Sequence, residues 1–166
     1  MIIDLKKYFM AENLTDTIVH TFTVAQEIAN GTGLSAAPVT AQADLKGKDG
    51  FVELKLSLSF QMETPCDRCL ETAVLTENAV FEHILVREQQ EDDKEDVYLC
   101  VENDSFDLEA LACDDILLSL PTRILCAEDC KGLCPKCGVN RNKTACGCET
   151  KMMDARLEVL KQLLDN

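Results

Sequence analysis

The first two thirds of the chain alternate between apolar and polar residues, which is the pattern of strands that bury one face. The clearest stretch is residues 52–60, where an apolar residue recurs at every second position. Residues 39–45 alternate in the same way, and Lys46-Gly47-Lys48-Asp49-Gly50 connects the two stretches. The sequence therefore predicts a β-hairpin here. Further strands are predicted at Asp16–Val24, 70–76, 80–86 and 97–101, and residues 1–10 are predicted as a short strand or turn.

Two helices are predicted after the strands. Asp107 is a suitable N-cap for a helix from Leu108 to about Ser119, and Pro121 ends it. Asp154 begins a C-terminal helix with leucines along one face. The expected fold class is α+β: an antiparallel sheet of about five or six strands with a helix, a cysteine-rich zinc-knuckle segment and a C-terminal helix. The expected division is a sheet domain with helix over 1–125, and a metal-binding segment with the C-terminal helix over 126–166 as one structural unit.

A cysteine-rich segment separates the two predicted helices. Six of the ten cysteines fall within residues 126–148, where apolar periodicity is almost absent. Such a segment cannot bury enough carbon to order itself, which indicates that a bound metal orders it. The spacing divides the ligands into Cys134, Cys137, Cys146 and Cys148 in one group, and Cys66, Cys69, Cys126 and Cys130 in another. Other pairings stay open, because Cys130 and Cys134 are close enough in sequence to exchange roles.

All-sulfur tetrahedral ligation favours zinc, in one or two ions. Iron is the main alternative, because Cys-Pro-x-Cys-Gly knuckles also hold a single iron. Four protein ligands leave no open position for a catalytic water, so the metal is expected to be structural. Cys113 lies outside any ligand spacing and is interpreted as a packing residue, and Cys100 as a buried small apolar residue. His20 is interpreted as a strand residue with its hydrogen bonds satisfied, and His83 as a structural residue of its strand.

Whether the ten cysteines are metal ligands or disulfides depends on the cellular compartment of the protein. No apolar run is long enough to span a bilayer, and the start of the sequence carries an aspartate where a signal peptide would be apolar. The expected location is therefore the cytoplasm, where thiols stay reduced and available to metals. Five disulfides would be the leading alternative in a secreted protein.

Charge is unevenly distributed along the chain, whose net charge is −14. Residues 1–130 carry 9 Lys/Arg against 26 Asp/Glu, a net of −17, and residues 131–166 carry 7 against 4, a net of +3. An acidic body repels a phosphate backbone, which argues against a general nucleic-acid-binding protein. The basic end could contact RNA, and the acidic body could bind a basic protein, although solubility alone would also explain the charge. The cations expected to touch RNA are Lys131, Lys136, Arg141 and Lys143.

Enzyme activity is not expected. Cys134-Pro-Lys-Cys137 could be a redox pair with a lowered thiol pKa, but such a pair normally begins a helix after a strand of a βαβ unit. The sequence has no Gly-x-Ser-x-Gly and no phosphate-binding loop. The acidic stretch 88–96 is interpreted as a solvated connector.

The cysteine arrangement resembles the YceD family. The resemblance is carried by Cys66-Asp-Arg-Cys69, by Pro121 with Cys126 and Cys130, by Gly-Leu-Cys-Pro-x-Cys-Gly at 132–138, by Cys146-x-Cys148, and by Asp154-Ala-Arg-Leu157. Ala155 stands where the family usually has proline, and Arg141 stands where it usually has leucine. Some members lack the last four cysteines, which favours the group of Cys66, Cys69, Cys126 and Cys130 as the carrier of the shared function.

The resemblance implies a non-enzymatic factor that supports accumulation of 23S ribosomal RNA and assembly of the large subunit. The implied partners are precursor 23S RNA, a basic large-subunit ribosomal protein, or both, with no membrane and no small-molecule substrate. The alternatives are a zinc-stabilised adaptor that binds only protein, and then a Cys-x-x-Cys redox protein. Metal content separates the redox protein from the other two, because a working dithiol pair is free of metal.

Overall fold

The computed structural model describes residues 1–25, 32–34, 37–48, 50–88 and 98–148. The chain forms two compact units. The first, here the sheet unit, comprises Met1–Thr64 and Ala73–Thr122. The second, here the cysteine unit, comprises Pro65–Thr72 and Arg123–Asn166. The predicted C-terminal helix after Asp154 lies outside the described residues.

Within the described part of the chain, helical segments stand among the strands. In chain order they are β1 (Ile2–Asp4), α1 (Lys6–Phe9), β2 (Thr15–Phe22), β3 (Val39–Lys48), β4 (Phe51–Pro65), β5 (Thr72–Val86), β6 (Tyr98–Cys100), a 3-10 turn (Glu102–Asp104), β7 (Ser105–Asp107) and α2 (Leu108–Ser119). Strands β2 to β6 form a five-stranded sheet in sequence order, and β1 pairs with β7 in a two-stranded sheet.

The predicted hairpin is confirmed. Strands β3 and β4 are antiparallel, with Ala43 opposite Leu56 and Leu45 opposite Leu54. Burial alternates along both strands, so the apolar residues of the pattern face the core and the polar residues face away. Strand β2 continues the sheet antiparallel to β3 but ends at Phe22, so Val24 is not part of it.

Two strand predictions are corrected. Residues 70–76 and 80–86 were expected to form separate extended segments, but β5 is continuous from Thr72 to Val86. Alternating burial continues through Glu77-Asn78, so these polar residues stay within the ladder. The sheet is also not antiparallel throughout, because β6 pairs in parallel with β5, Leu85 opposite Leu99.

Helix α2 has the predicted bounds, and Asp107 caps it by accepting a hydrogen bond from the amide of Glu109 at 3.0 Å. Its buried face contains Leu108, Ala112 and Ile116. The same face also buries Asp115, which is 4% exposed and pairs with Nε2 of His83 on β5 at 2.8 Å. The sequence pattern did not predict this polar pair. In the described part of the chain, no helix combines the length and apolarity needed to cross a bilayer.

Candidate metal centre

The cysteine unit brings eight thiols together in two groups of four. Cys66, Cys69, Cys126 and Cys130 form the first group, and Cys134, Cys137, Cys146 and Cys148 form the second. Within each group all the sulfur atoms lie within 4.8 Å of one another. These are the two sets that the spacing predicted.

The sulfur separations fit a tetrahedral metal. A metal–sulfur bond of about 2.3 Å gives tetrahedral sulfur–sulfur edges of about 3.8 Å. In the first group, Sγ of Cys66 lies 3.8 Å from Sγ of Cys130, and Sγ of Cys69 lies 3.5 Å from Sγ of Cys126. All ten cysteines are free thiols. The donor set and its dimensions therefore suit one four-coordinate metal ion in each group.

Each group is built on a Cys-x-x-Cys turn of the same form. In the first turn, the amide of Leu70 donates to the carbonyl of Cys66 at 2.9 Å. In the second, the amide of Gly138 donates to the carbonyl of Cys134 at 2.8 Å. The donor residue has a positive φ in both, 60° at Leu70 and 73° at Gly138. Glycine adopts this conformation freely, whereas leucine is strained in it.

Residues 67 and 68 bind the first turn to the segment that carries Cys126 and Cys130. Asp67 makes two hydrogen bonds with Ile124, one from its own amide at 2.9 Å and one to its carboxylate at 2.6 Å. Arg68 donates from Nη1 to the carbonyl of Cys130 at 2.8 Å. These bonds explain how cysteines about sixty positions apart come to face one point.

Gly132 makes the closest backbone approach in this arrangement. Its φ is +69°, and a Cβ there would lie 2.9 Å from the carbonyl oxygen of Arg68. That same carbonyl accepts a hydrogen bond from the amide of Leu133 at 2.9 Å. A side chain at position 132 would therefore strain the backbone and separate the two halves of the first group.

The thiols within each group differ in acidity. Burial opposes ionisation of the Cys66 thiol, but hydrogen bonds from backbone N–H groups outweigh it and lower the pKa to about 6. Backbone N–H groups, with that of Cys137 foremost, likewise lower the pKa of Cys134 to about 6. Neighbouring cysteines have the opposite effect on Cys126 and Cys148, raising the pKa of each to about 12. Four thiolates can therefore coexist in a group only when a cation compensates their charge.

The four cations expected to touch RNA all lie in the cysteine unit and are exposed. Lys143 is ion-paired with Glu71, Nζ to Oε2 at 2.7 Å. No carboxylate among the described residues is within ion-pair distance of Lys131, Lys136 or Arg141. Three of the four side chains are thus available to a phosphate, and the fourth also serves an internal contact.

The predictions for the remaining cysteines and for the residues around the sulfurs agree with the structure only in part. Among the described residues neither Cys100 nor Cys113 joins a four-thiol group. Cys100 is exposed, so its interpretation as a buried packing residue was wrong; it stands on the short strand β6. Sequence reasoning also missed Asn142, whose Nδ2 lies 3.2 Å from Sγ of Cys130. Its position inside a cysteine-flanked loop was the available signal.

The fold and the two groups define a sheet protein with a cysteine unit that carries two candidate metal sites. A sequence model of the family described as large ribosomal RNA subunit accumulation protein YceD matches residues 54–164. The chain belongs to the YceD family. It is also similar to the uncharacterized protein YlbN of Bacillus subtilis (strain 168), at 27% identity over 132 residues that cover 79% of this chain and 76% of YlbN. No solved structure matches the chain.

Proposed function

We propose that this protein is a non-enzymatic ribosome-biogenesis factor of the cytoplasm that supports accumulation of 23S ribosomal RNA and assembly of the large subunit. The observation that carries the proposal is membership of a family described by large ribosomal RNA subunit accumulation. The matched region, residues 54–164, contains all eight cysteines of the two groups. The family model therefore includes both cysteine groups in full.

Each four-cysteine group holds one structural zinc ion in this proposal. Sulfur–sulfur separations of 3.5 and 3.8 Å in the first group suit tetrahedral zinc. Iron uses the same ligands, so metal analysis of protein isolated from its native host decides the identity. Two zinc ions per chain is the expected result, and one or two irons would reassign the metal without changing its structural role.

The cysteine unit is the surface that meets RNA. The sheet unit carries 7 Lys/Arg against 22 Asp/Glu, a net of −15, whereas the cysteine unit carries 9 against 8, a net of +1. A polyanion is therefore repelled far more strongly by the sheet unit than by the cysteine unit. Lys131, Lys136 and Arg141 are exposed, and the described residues offer them no ion pair, so they are free to contact phosphates.

Crosslinking in the native cell tests direct contact. The protein is purified under denaturing conditions after crosslinking, and the attached RNA is sequenced against a tag-only control. Enrichment of precursor 23S segments is expected. A Lys136→Glu/Arg141→Glu variant should lose it, whereas Lys6→Glu/Lys55→Glu, which makes the same charge change in the sheet unit, should keep it. Lys143 is left unchanged because its reversal would also break the ion pair with Glu71.

Absence of enrichment would reject the RNA contact, provided that loss of the protein still lowers 23S levels in that strain. The function would then move to the zinc-stabilised adaptor, and the acidic sheet unit would be the surface on which to seek a basic ribosomal protein. Metal-free protein with a reversibly oxidised Cys134–Cys137 pair would instead favour the redox protein. Convergence of four thiols, where a redox pair needs two, supports the metal sites over that alternative.

A further inference from the structure

The loop between Cys137 and Cys146 contacts the cysteine group to which it does not belong. This loop, residues 138–145 and here the linking loop, is flanked by two thiols of the second group. Asn142 of the loop donates from Nδ2 to Sγ of Cys130 in the first group at 3.2 Å. Its Oδ1 accepts from the amide of Lys131 at 2.7 Å. One side chain thus holds both the sulfur and the backbone next to it.

A second set of contacts joins the loop to the other half of the first group. Glu71 follows Cys69 by two residues and accepts from Nδ2 of Asn140 at 3.3 Å and from Nζ of Lys143 at 2.7 Å. The loop therefore touches both chain segments that supply the first four thiols. Its residues also line a cavity of 380 Å³ whose wall includes Cys69, Cys126 and Cys130.

We propose that the linking loop couples the two metal sites, and that Asn142 is the positioning residue through which it acts. A metal ion in the second group ties down both ends of the loop, because Cys137 and Cys146 are ligands of that ion. The ordered loop then holds the Asn142 amide against Cys130, where an N–H···S bond fixes the sulfur and stabilises its negative charge. The first group gains metal affinity from occupation of the second. By linkage, the second gains equally from the first.

This inference rests on the metal binding proposed above, and the test separates the two. Zinc affinity and stoichiometry are measured on the full chain by competition with a chelator of known affinity. Failure to bind zinc at all would defeat the metal proposal itself. Two ions per chain, falling to one in Cys137→Ser/Cys146→Ser, would establish both sites and leave the affinity of the first group available for comparison.

Coupling predicts that disabling the second group weakens zinc binding at the first by roughly tenfold, the scale of lost outer contacts at metal sites. Asn142→Ala, with the second group intact, should weaken the first group similarly. Combining both changes should add less than a further twofold, because both remove the same contact. Thr144→Ala is the matched loop control, since this side chain is exposed and is not a ligand in either group, and it should leave both affinities unchanged.

Asn142→Asp distinguishes positioning of the sulfur from simple bracing of the loop. The aspartate keeps an oxygen for the amide of Lys131 but replaces the donor to Cys130 with a negative charge. It should therefore weaken the first group at least as much as alanine does. Affinity equal to that of the unaltered chain would overturn the role of the N–H···S bond. The coupling would be overturned if the effects of Cys137→Ser/Cys146→Ser and Asn142→Ala on the zinc affinity of the first group multiplied in full when combined. It would also be overturned if each change alone weakened that affinity by less than twofold.

Discussion

Leu70 and Gly138 occupy equivalent positions in the two Cys-x-x-Cys turns. Introducing glycine at position 70 and removing it at position 138 should change metal affinity in opposite directions. Both residues have a positive φ, 60° and 73°, and both donate their amide to the first cysteine of the turn. Only Gly138 is suited to that conformation. Leu70→Gly should therefore strengthen the first site, and Gly138→Ala should weaken the second.

The magnitude follows from the surroundings of each residue. Leu70 is 67% exposed, so removing its side chain sacrifices little packing. Nothing lies within 4 Å of a Cβ built at Gly138, so alanine there meets no clash and incurs only the conformational cost. That cost is about 1 kcal/mol for an L-residue in the left-handed region, after allowance for the freedom of glycine in the unfolded chain. One kcal/mol corresponds to about fivefold in affinity.

The assay is the chelator competition for zinc, with circular dichroism to confirm that each variant folds. Leu70→Ala is the matched control, because it removes the side chain but keeps the Cβ that causes the strain. Leu70→Gly should bind about fivefold more tightly, Leu70→Ala should be unchanged, and Gly138→Ala should bind about fivefold more weakly. Equal gains for glycine and alanine at position 70 would refute the backbone argument, as would an unaltered second site in Gly138→Ala.

Other predictions concern protons and the sheet unit. Zinc binding should release one proton more per site below pH 6 than above it. The reason is that Cys66 and Cys134, whose pKa values lie at about 6, are already ionised at higher pH. Calorimetry in two buffers of different ionisation enthalpy counts the released protons. His83→Leu should cost ~2–4 kcal/mol at pH 7 by leaving Asp115 buried without its partner, as chemical denaturation would show. Burial raises the pKa of Asp115. Between pH 7 and pH 5 the folded His83→Leu variant therefore takes up a proton on Asp115 that the unfolded chain does not, and part of the lost free energy of unfolding should return by pH 5. His83→Leu/Asp115→Asn should show no such return. Asp107→Ala should cost about 1 kcal/mol through loss of the helix cap, measured in the same way.

The sheet was predictable where burial is one-sided. Strands β3 and β4 alternate strictly because one face packs in the core and the other meets water, and this fixes both the hairpin and its register. Strand β6 carries no such signal, since all three of its residues are exposed. Its parallel pairing with β5 is a contact between separate segments of the chain, which periodicity does not encode. The Asp115–His83 pair was unpredictable for a related reason, because a buried aspartate on α2 has the same sequence signature as an exposed one.

The thiols of the candidate site were predictable because ligand spacing is set by the chemistry of the metal. Two Cys-x-x-Cys turns, one Cys-x3-Cys and one Cys-x-Cys can each present two sulfurs to one point, and the structure groups them as the spacing suggests. The contacts around the sulfurs were not predictable. Asp67, Arg68 and Asn142 act through hydrogen bonds to segments distant in sequence, and a polar residue in a loop shows no pattern until its partner is known.

The proposed metal loading would restrict the proposed contact between the cysteine unit and RNA. Two zinc ions and eight thiolates add a formal charge of −4, which converts the unit from +1 to −3. Attraction of the whole unit to a polyanion is then lost, so contact must be local, through exposed cations held away from the sulfurs. Lys131, Lys136 and Arg141 supply at most three phosphate contacts, which limits the salt dependence of single-stranded RNA binding to a log–log slope of about −2. A much steeper slope would place the RNA on side chains outside this set.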